Sequence, residues 1–280
     1  MTWIMRLPIS LLLVFGVSIW VVSVNLLSSD VEPFQTQRIE NSGKVKHVGP
    51  PEVAPLPSWA YELPDFNAFA AGDERKQAFF NFLTPIIHHI NSQILLDRYQ
   101  LMGLVETLKQ KKILSSKQQR QLAKLIKKYR VEEEDLNKQI SRLLLRVDVV
   151  PPSLALAQAA NESAWGTSRF ATEANNLFGQ WCYREGCGLV PAQRDEEAVH
   201  EVRSFESPVD SVTSYIRNLN TNVAYVFLRQ LRRSLRMSED GISGLNIVQG
   251  LEPYSSRGQD YVDELSAMIR YNDLQQYDEY

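Results

Sequence analysis

Glu162 is the residue whose surroundings most resemble a reaction site. It stands inside Ser153 to Phe170, SLALAQAANESAWGTSRF, where nearly every position is small or apolar, the pattern of a helix buried in a domain rather than laid along its surface. Its helical neighbours are Gln158 and Ala159 before it and Trp165 and Gly166 after it, and no Lys or Arg occurs from Val147 to Ser168. A carboxylate beside an indole with no local cation holds its proton more tightly, because desolvation penalises the charged form. That is how a glutamic acid becomes a general acid near neutral pH. Gly166, costly in a helix by about 1 kcal/mol relative to Ala, is expected to leave room beside the carboxyl. The competing reading is that Glu162 only accepts hydrogen bonds.

The rest of the chain has to position this helix. With 30 Lys+Arg against 33 Asp+Glu, a net charge of -3, there is no bulk positive field to attract nucleic acid. A hydrophobic fraction of 44% with 22% charged residues excludes both global disorder and a polytopic membrane protein. Leu7 to Ser29 runs 23 residues without a charge, enough to span a bilayer. Arg6 before it and Asp30 after it place the remainder outside the cytoplasm. The expectation is a single-pass membrane protein with its body outside the cytoplasm. A cleaved signal peptide competes, but the segment is long and lacks an A-x-A-like site.

Asp30 to Pro64 holds 6 of the 13 prolines and reads as an extended tether. Phe79, Phe82, Leu83, Ile86, Ile87, Ile90, Ile94 and Leu95 then recur at spacings of three and four, the mark of an amphipathic helix. Ser116 and Gln119 suggest a capping box. Lys109 to Arg146 carries 12 basic residues against the acids of Glu132 to Asp135, which is either a solvated face or an attraction to an anionic wall polymer or lipid surface. Four segments result: 1–29 anchor or signal, 30–70 tether, 71–146 helical region and 147–280 catalytic domain.

Cys182 and Cys187 sit in WCYREGCG with glycines that let the chain turn. In an oxidising compartment they should close a small loop worth roughly 2 kcal/mol. Zinc is not expected, since His88, His89 and His200 lack ligand spacing to them. Nor is there a Gly-x-Ser-x-Gly elbow, a phosphate-cradling glycine loop or a His-Glu-x-x-His helix. No metal and no cofactor are implied.

AQAANESAWGTSRFA followed by NNLFGQW resembles the glucosaminidase family of bacterial cell-wall hydrolases, glycoside hydrolase family 73. GQWC, GCGLVP and RSF resemble its Bax-type members from Gram-negative bacteria. The likeness covers about Pro151 to Ile269 and implies a mostly α, lysozyme-like helical domain with a small β-hairpin lobe, around a groove for peptidoglycan glycan strands. It matches Glu162 to the family's catalytic acid and Tyr225 to a tyrosine beside it. Gln158, Trp165, Asn176, Phe178, Gly179 and Trp181 are the expected substrate-binding set. Asn176 and its neighbours offer amides to hydroxyl and N-acetyl groups, and Trp181 either stacks on a sugar or fills a gap.

The lobe is expected as strands Leu189 to Gln193 and Val199 to Phe205 around a turn at Arg194 to Ala198. The family's second acid belongs there, and Glu185, Asp195, Glu196 and Glu197 compete for the role, with Glu196 and Glu197 favoured. The substrate's N-acetyl group is the alternative. The implied activity is an endo-β-N-acetylglucosaminidase, with a lytic transglycosylase or a non-catalytic wall-binding scaffold as rivals. NLFGQ departs from the Gly-Leu-Met-Gln turn of the transglycosylases.

Overall fold

A computed structural model describes residues 49–192, 200–238 and 240–278. The expected membrane segment and residues 30–48 of the tether lie outside them. Among the described residues no helix is long and apolar enough to cross a membrane.

Helix α1 (Asp73–Lys109) starts with Asp73 and Glu74 in its first turn, where the positive end of the helix dipole favours acids. It buries Phe79, Phe82, Leu83, Ile86, Ile87, Ile90 and Ile94, the face their spacing predicts. Helix α2 (Ser116–Lys128) is capped by Ser115, which accepts from the Gln118 N–H while its own N–H donates to the Gln118 side chain. The capping box is thus one residue earlier than expected, because the backbone of Ser115 is still extended while Ser116 is already helical. Helix α3 (Leu136–Arg146) is capped by Asp135.

Helix α4 (Pro152–Ser163) begins with a proline, whose missing N–H is harmless in the first turn. Every residue from Pro152 to Ala160 is buried. The helix ends sooner than its composition suggests. Ala164, Trp165 and Gly166 all adopt positive φ (49°, 61° and 76°), and the chain resumes as α5 (Arg169–Ala174), capped by Ser168. Ser163 holds this turn, its hydroxyl donating to the Ala159 carbonyl and accepting from the Gly166 N–H.

Gly166 is therefore not an opening beside the carboxyl. A Cβ there would overlap the ring of Phe66, which is fully buried and meets Phe79 and Phe82 edge-on at 5.3 and 6.0 Å. The last part of the expected tether is likewise packed, with Ala60 and Phe66 at 0% exposure.

Strands β1 (Trp181–Cys182), β2 (Gly188–Leu189) and β3 (Glu201–Arg203) form an antiparallel sheet of order β1-β3-β2. β2 and β3 make the expected hairpin in shorter form, and β1 adds a third strand that periodicity did not reveal. Gly188 is needed because any side chain would strike the backbone of Val202. The expected turn, with Asp195, Glu196 and Glu197, lies outside the described residues.

Helix α6 (Pro208–Thr221) has the expected start, with Ser207 as cap and Asp210 in the first turn. α7 (Val226–Leu235), α8 (Gly244–Ile247) and α9 (Gln259–Tyr271) complete the fold. Residues 48–280 belong to one compact unit, and a single hydrophobic core runs from Ala60 to Leu274. The expected boundary at 146/147 falls inside that core, because α1 packs directly on α4 and α6.

Asp148, 2% exposed, ties this crossing together. Its carboxylate pairs with Arg236, which caps the end of the helix Val226–Leu235, and with Arg98 of α1 at 3.4 Å. Arg232, at 0% exposure, donates to the carbonyls of Leu145, Asp148 and Val149 and to Asn220 Oδ1 of α6. Burial alone would push the Asp148 carboxyl up, but Arg232, Arg98 and Arg236 hold it below the usual carboxylate range. A depressed folded value means that its contribution is present at neutral pH and lost as pH falls through that value.

Asp148→Asn is expected to lower stability by about 3–5 kcal/mol at neutral pH, since it leaves buried cations uncompensated. Urea unfolding should show the gap between variant and wild type closing in acid. Gly166→Ala is expected to cost about 1–3 kcal/mol from the Phe66 overlap and the left-handed backbone. Thermal unfolding of Phe66→Leu/Gly166→Ala should show part of that loss recovered.

Candidate active site

Glu162 occupies the last turn of α4, half-buried, and its carboxyl is tied to two other helices, directly to α9 and through Gln158 to α6. The Tyr261 hydroxyl of α9 donates to Oε1 at 2.8 Å. Gln158, one turn earlier on α4, donates from Nε2 to the Tyr261 oxygen at 2.9 Å. The Tyr215 hydroxyl of α6 donates to Gln158 Oε1 at 2.5 Å. A directed chain of hydrogen bonds thus runs from α6 through α4 to α9 and ends on the carboxyl. Asn161 also reaches Oε1, at 3.3 Å. Oε2 accepts no hydrogen bond from any described residue and lies beside Gly179, 3.6 Å from where a Cβ would stand there. One oxygen is thus fixed by hydrogen bonds, and the other has no protein partner among the described residues.

Burial raises the Glu162 carboxyl above the ordinary value. The bonds from Tyr261 and Asn161 oppose this without cancelling it, Glu264 adds to the rise and Arg257 opposes it. Glu264 and Arg257 pair with each other at 2.7 Å.

Aromatic rings back the carboxyl. Phe178 stacks on Tyr215 with ring centres 3.9 Å apart. Tyr254 stacks on Tyr261 at 5.7 Å and donates its hydroxyl to the Phe178 carbonyl. Tyr225, whose phenol burial pushes up to about 12, meets Tyr254 at 6.1 Å. The tyrosine whose hydroxyl bonds Glu162 is therefore Tyr261, while the ring of Tyr225 meets Tyr254.

Several residues expected to bind substrate stand behind the site. Gln158, Asn176 and Phe178 are no more than 1% exposed. Asn176 donates to the carbonyls of Gln180 and Arg203 and accepts from the N–H groups of Phe178 and Gln180, so its amide secures the loop to β3 and has nothing left for a ligand. Trp165 leaves the helix at the left-handed turn and packs on Phe79 and Phe80 at 5.9 and 5.4 Å, in the core. Gly179 remains beside the carboxyl. Trp181 is 55% exposed and stacks by one face on His200 at 4.2 Å.

Cys182 and Cys187 form the expected disulfide, Cα to Cα 6.3 Å. Glu185 is exposed on its loop. Glu201, not considered from sequence, is 5% exposed and accepts from the N–H groups of Gly186 and Gly188 at 3.0 and 2.8 Å. Its cue in the sequence is the glycine on either side of Cys187, whose amides need an acceptor. Cys182, Cys187 and Glu201 lie close enough to suit a metal ion, but the disulfide leaves no thiolate to bind one. Tyr261 and Tyr215 were also missed, because 99 and 57 residues separate them from their partners on α4.

The chain matches the glucosaminidase family, described as mannosyl-glycoprotein endo-beta-N-acetylglucosaminidase, over residues 138–274. It is 34% identical over 213 residues to Protein bax of Escherichia coli (strain K12), across 75% of this chain and 74% of that one. It is 28% identical over 134 residues to exo-glucosaminidase LytG of Bacillus subtilis (strain 168), across 46% of this chain and 47% of that one. The crystal structure of the catalytic domain of the autolysin Auto from Listeria monocytogenes superposes with a TM-score of 0.40 at 19% identity, covering 76% of this chain and 92% of that one.

The raised Glu162 carboxyl generates a prediction about stability. A folded value above the unfolded one means that the folded protein gains from the proton, so stability is greatest below the unfolded value and falls as pH rises through the folded value. Glu162→Gln removes that cost. Thermal unfolding should show the variant more stable than wild type at neutral to alkaline pH, with the difference vanishing in acid.

Proposed function

The chain belongs to the glucosaminidase family, and from that premise we propose that it is a peptidoglycan hydrolase, an endo-β-N-acetylglucosaminidase that cuts β-1,4 glycan strands with Glu162 as general acid. The observation that carries this reading is the asymmetry of the Glu162 carboxyl. Oε1 is oriented by Tyr261, Oε2 is free of protein hydrogen bonds among the described residues, and burial favours the protonated form.

In this reading Oε2–H donates to the glycosidic oxygen as its bond to the anomeric carbon breaks. The proton leaves with the departing sugar hydroxyl, and positive charge develops at the anomeric carbon. The Tyr261 bond then stabilises the carboxylate left behind, as a hydrogen bond to a charged acceptor is stronger than one to a neutral acceptor. Water attacks the anomeric carbon and gives up its proton to a lobe carboxylate, Glu196 or Glu197; in the alternative the carbonyl oxygen of the substrate's N-acetyl group first bonds the anomeric carbon, and the water that displaces it gives its proton to the Glu162 carboxylate. Trp181, with its indole half-exposed beside Gly179 and Gln180 in the chain, offers a face on which a sugar ring stacks. The Cys182–Cys187 disulfide supports an extracytoplasmic site of action, with Leu7 to Ser29 as the membrane tether.

Glu162→Gln is expected to reduce digestion of purified peptidoglycan by about two orders of magnitude or more, and mass spectrometry of wild-type products should show new reducing N-acetylglucosamine ends. Anhydro ends would replace the reading with a transglycosylase, and no products from the wild type would leave a binding scaffold. Tyr261→Phe removes a bond that favours the charged carboxyl, so the carboxyl should titrate at still higher pH. Its pH–rate profile should move the alkaline limb upward, with a rate loss of about tenfold, the scale of one charge-assisted hydrogen bond.

A further inference from the structure

A groove of about 380 Å³ lies between α1, α2 and α6, away from the carboxyl site, and its lining includes neither Glu162 nor Tyr261. That volume falls in the range of small-ligand sites. Ile90 and Ile94 of α1 and Ile216 of α6 form its apolar floor, and Lys124, Lys127, Lys128 and Arg217 are its cations. The three lysines share a face because residues three and four apart meet on a helix. Among the described residues no acid lines the groove.

The cations are largely uncompensated. Lys128 pairs with Asp97 at 2.6 Å, but among the described residues no carboxylate pairs with Lys124, Lys127 or Arg217. The Arg217 guanidinium is pushed below its ordinary value by burial and then by its like-charged neighbours Arg130 and Arg203. Exposed lysines alone would suit any anion. An apolar slot beneath them adds a second requirement, an aliphatic chain attached to the anionic group. A sugar polymer lacks that chain, and an acidic peptide would leave the isoleucine floor unfilled. The uncharged stretch of 23 residues from Leu7 to Ser29 points to the same class of partner, since it is long enough to enter a bilayer.

We propose that this groove binds an anionic phospholipid, with the phosphate on Lys124, Lys127 and Arg217 and an acyl chain along Ile90, Ile94 and Ile216. The site is independent of Glu162 chemistry. α6 turns Tyr215 toward the carboxyl network and Ile216 and Arg217 toward the groove, so the two sites share a helix and not a surface.

Isothermal titration with dihexanoyl-phosphatidylglycerol, dispersed as monomers, tests this on the full chain and in parallel on residues 48–280, which enclose their own core. Binding should be about tenfold or more tighter than for dihexanoyl-phosphatidylcholine, reflecting the head-group charge, and tighter than for glycerol phosphate, which lacks the chains. Lys124→Glu/Lys127→Glu/Arg217→Glu, all on exposed side chains, should lose that preference with unchanged thermal unfolding. Thr213→Trp, which fills the groove from its exposed rim, should weaken binding without changing any charge. Equal binding of the zwitterionic lipid, equal binding of glycerol phosphate, tighter binding of a polyglutamate peptide, or no binding of phosphatidylglycerol would each overturn the proposal.

Discussion

The hydrogen bond from Tyr261 to Glu162 is the interaction on which the site is organised. A half-buried carboxyl at the end of a buried helix gains less from water than an exposed one, so its direction and charge depend more on what the protein supplies. Burial alone would favour the neutral acid and leave its orientation loose. The Tyr261 hydroxyl fixes Oε1 and lowers the cost of the anion, yet the balance still favours the proton. Gln158 explains how that hydroxyl is aimed. Its amide accepts from Tyr215 and donates to Tyr261, which orients both phenols at once. A carboxylate could only accept, and an apolar side chain could do neither.

This arrangement requires α4, α6 and α9 to keep their mutual positions, and the supports lie outside the site. The Asp148 knot joins α1, α6 and α7 just before α4 begins, so the helix carrying Glu162 starts from a point held by charge. At its other end the left-handed turn at Ala164 to Gly166 closes the helix one residue after Ser163. That turn directs Trp165 onto Phe79 of α1, whose ring also meets Phe66. The region that reads as a separate helical segment therefore contributes to the core on which α4 packs. The small lobe is built by different means. Its strands are two or three residues long, too short to hold by pairing alone, and the disulfide and the Glu201 grip on two glycine amides make up the difference.

Much of this was legible in the sequence because it is local. The apolar face of α1 follows from spacing alone, as do the start of α6 at Ser207 and Pro208 and the burial of α4, and the pair Cys182 and Cys187 follows from short separation and flanking glycines. Glu162 stands out because its own helix carries no cation and almost no polar surface, which is a property of a dozen adjacent letters. Tertiary structure decided what depends on distant partners. No spacing rule connects Tyr261 to a glutamate 99 residues away, or tells that Asn176 exhausts its amide on nearby backbone while Trp181 stays half-exposed. Gly166 shows the same division. Its identity suggests an absent side chain, but only packing reveals that the space belongs to Phe66, because steric overlap between segments 100 residues apart leaves no trace in either one alone.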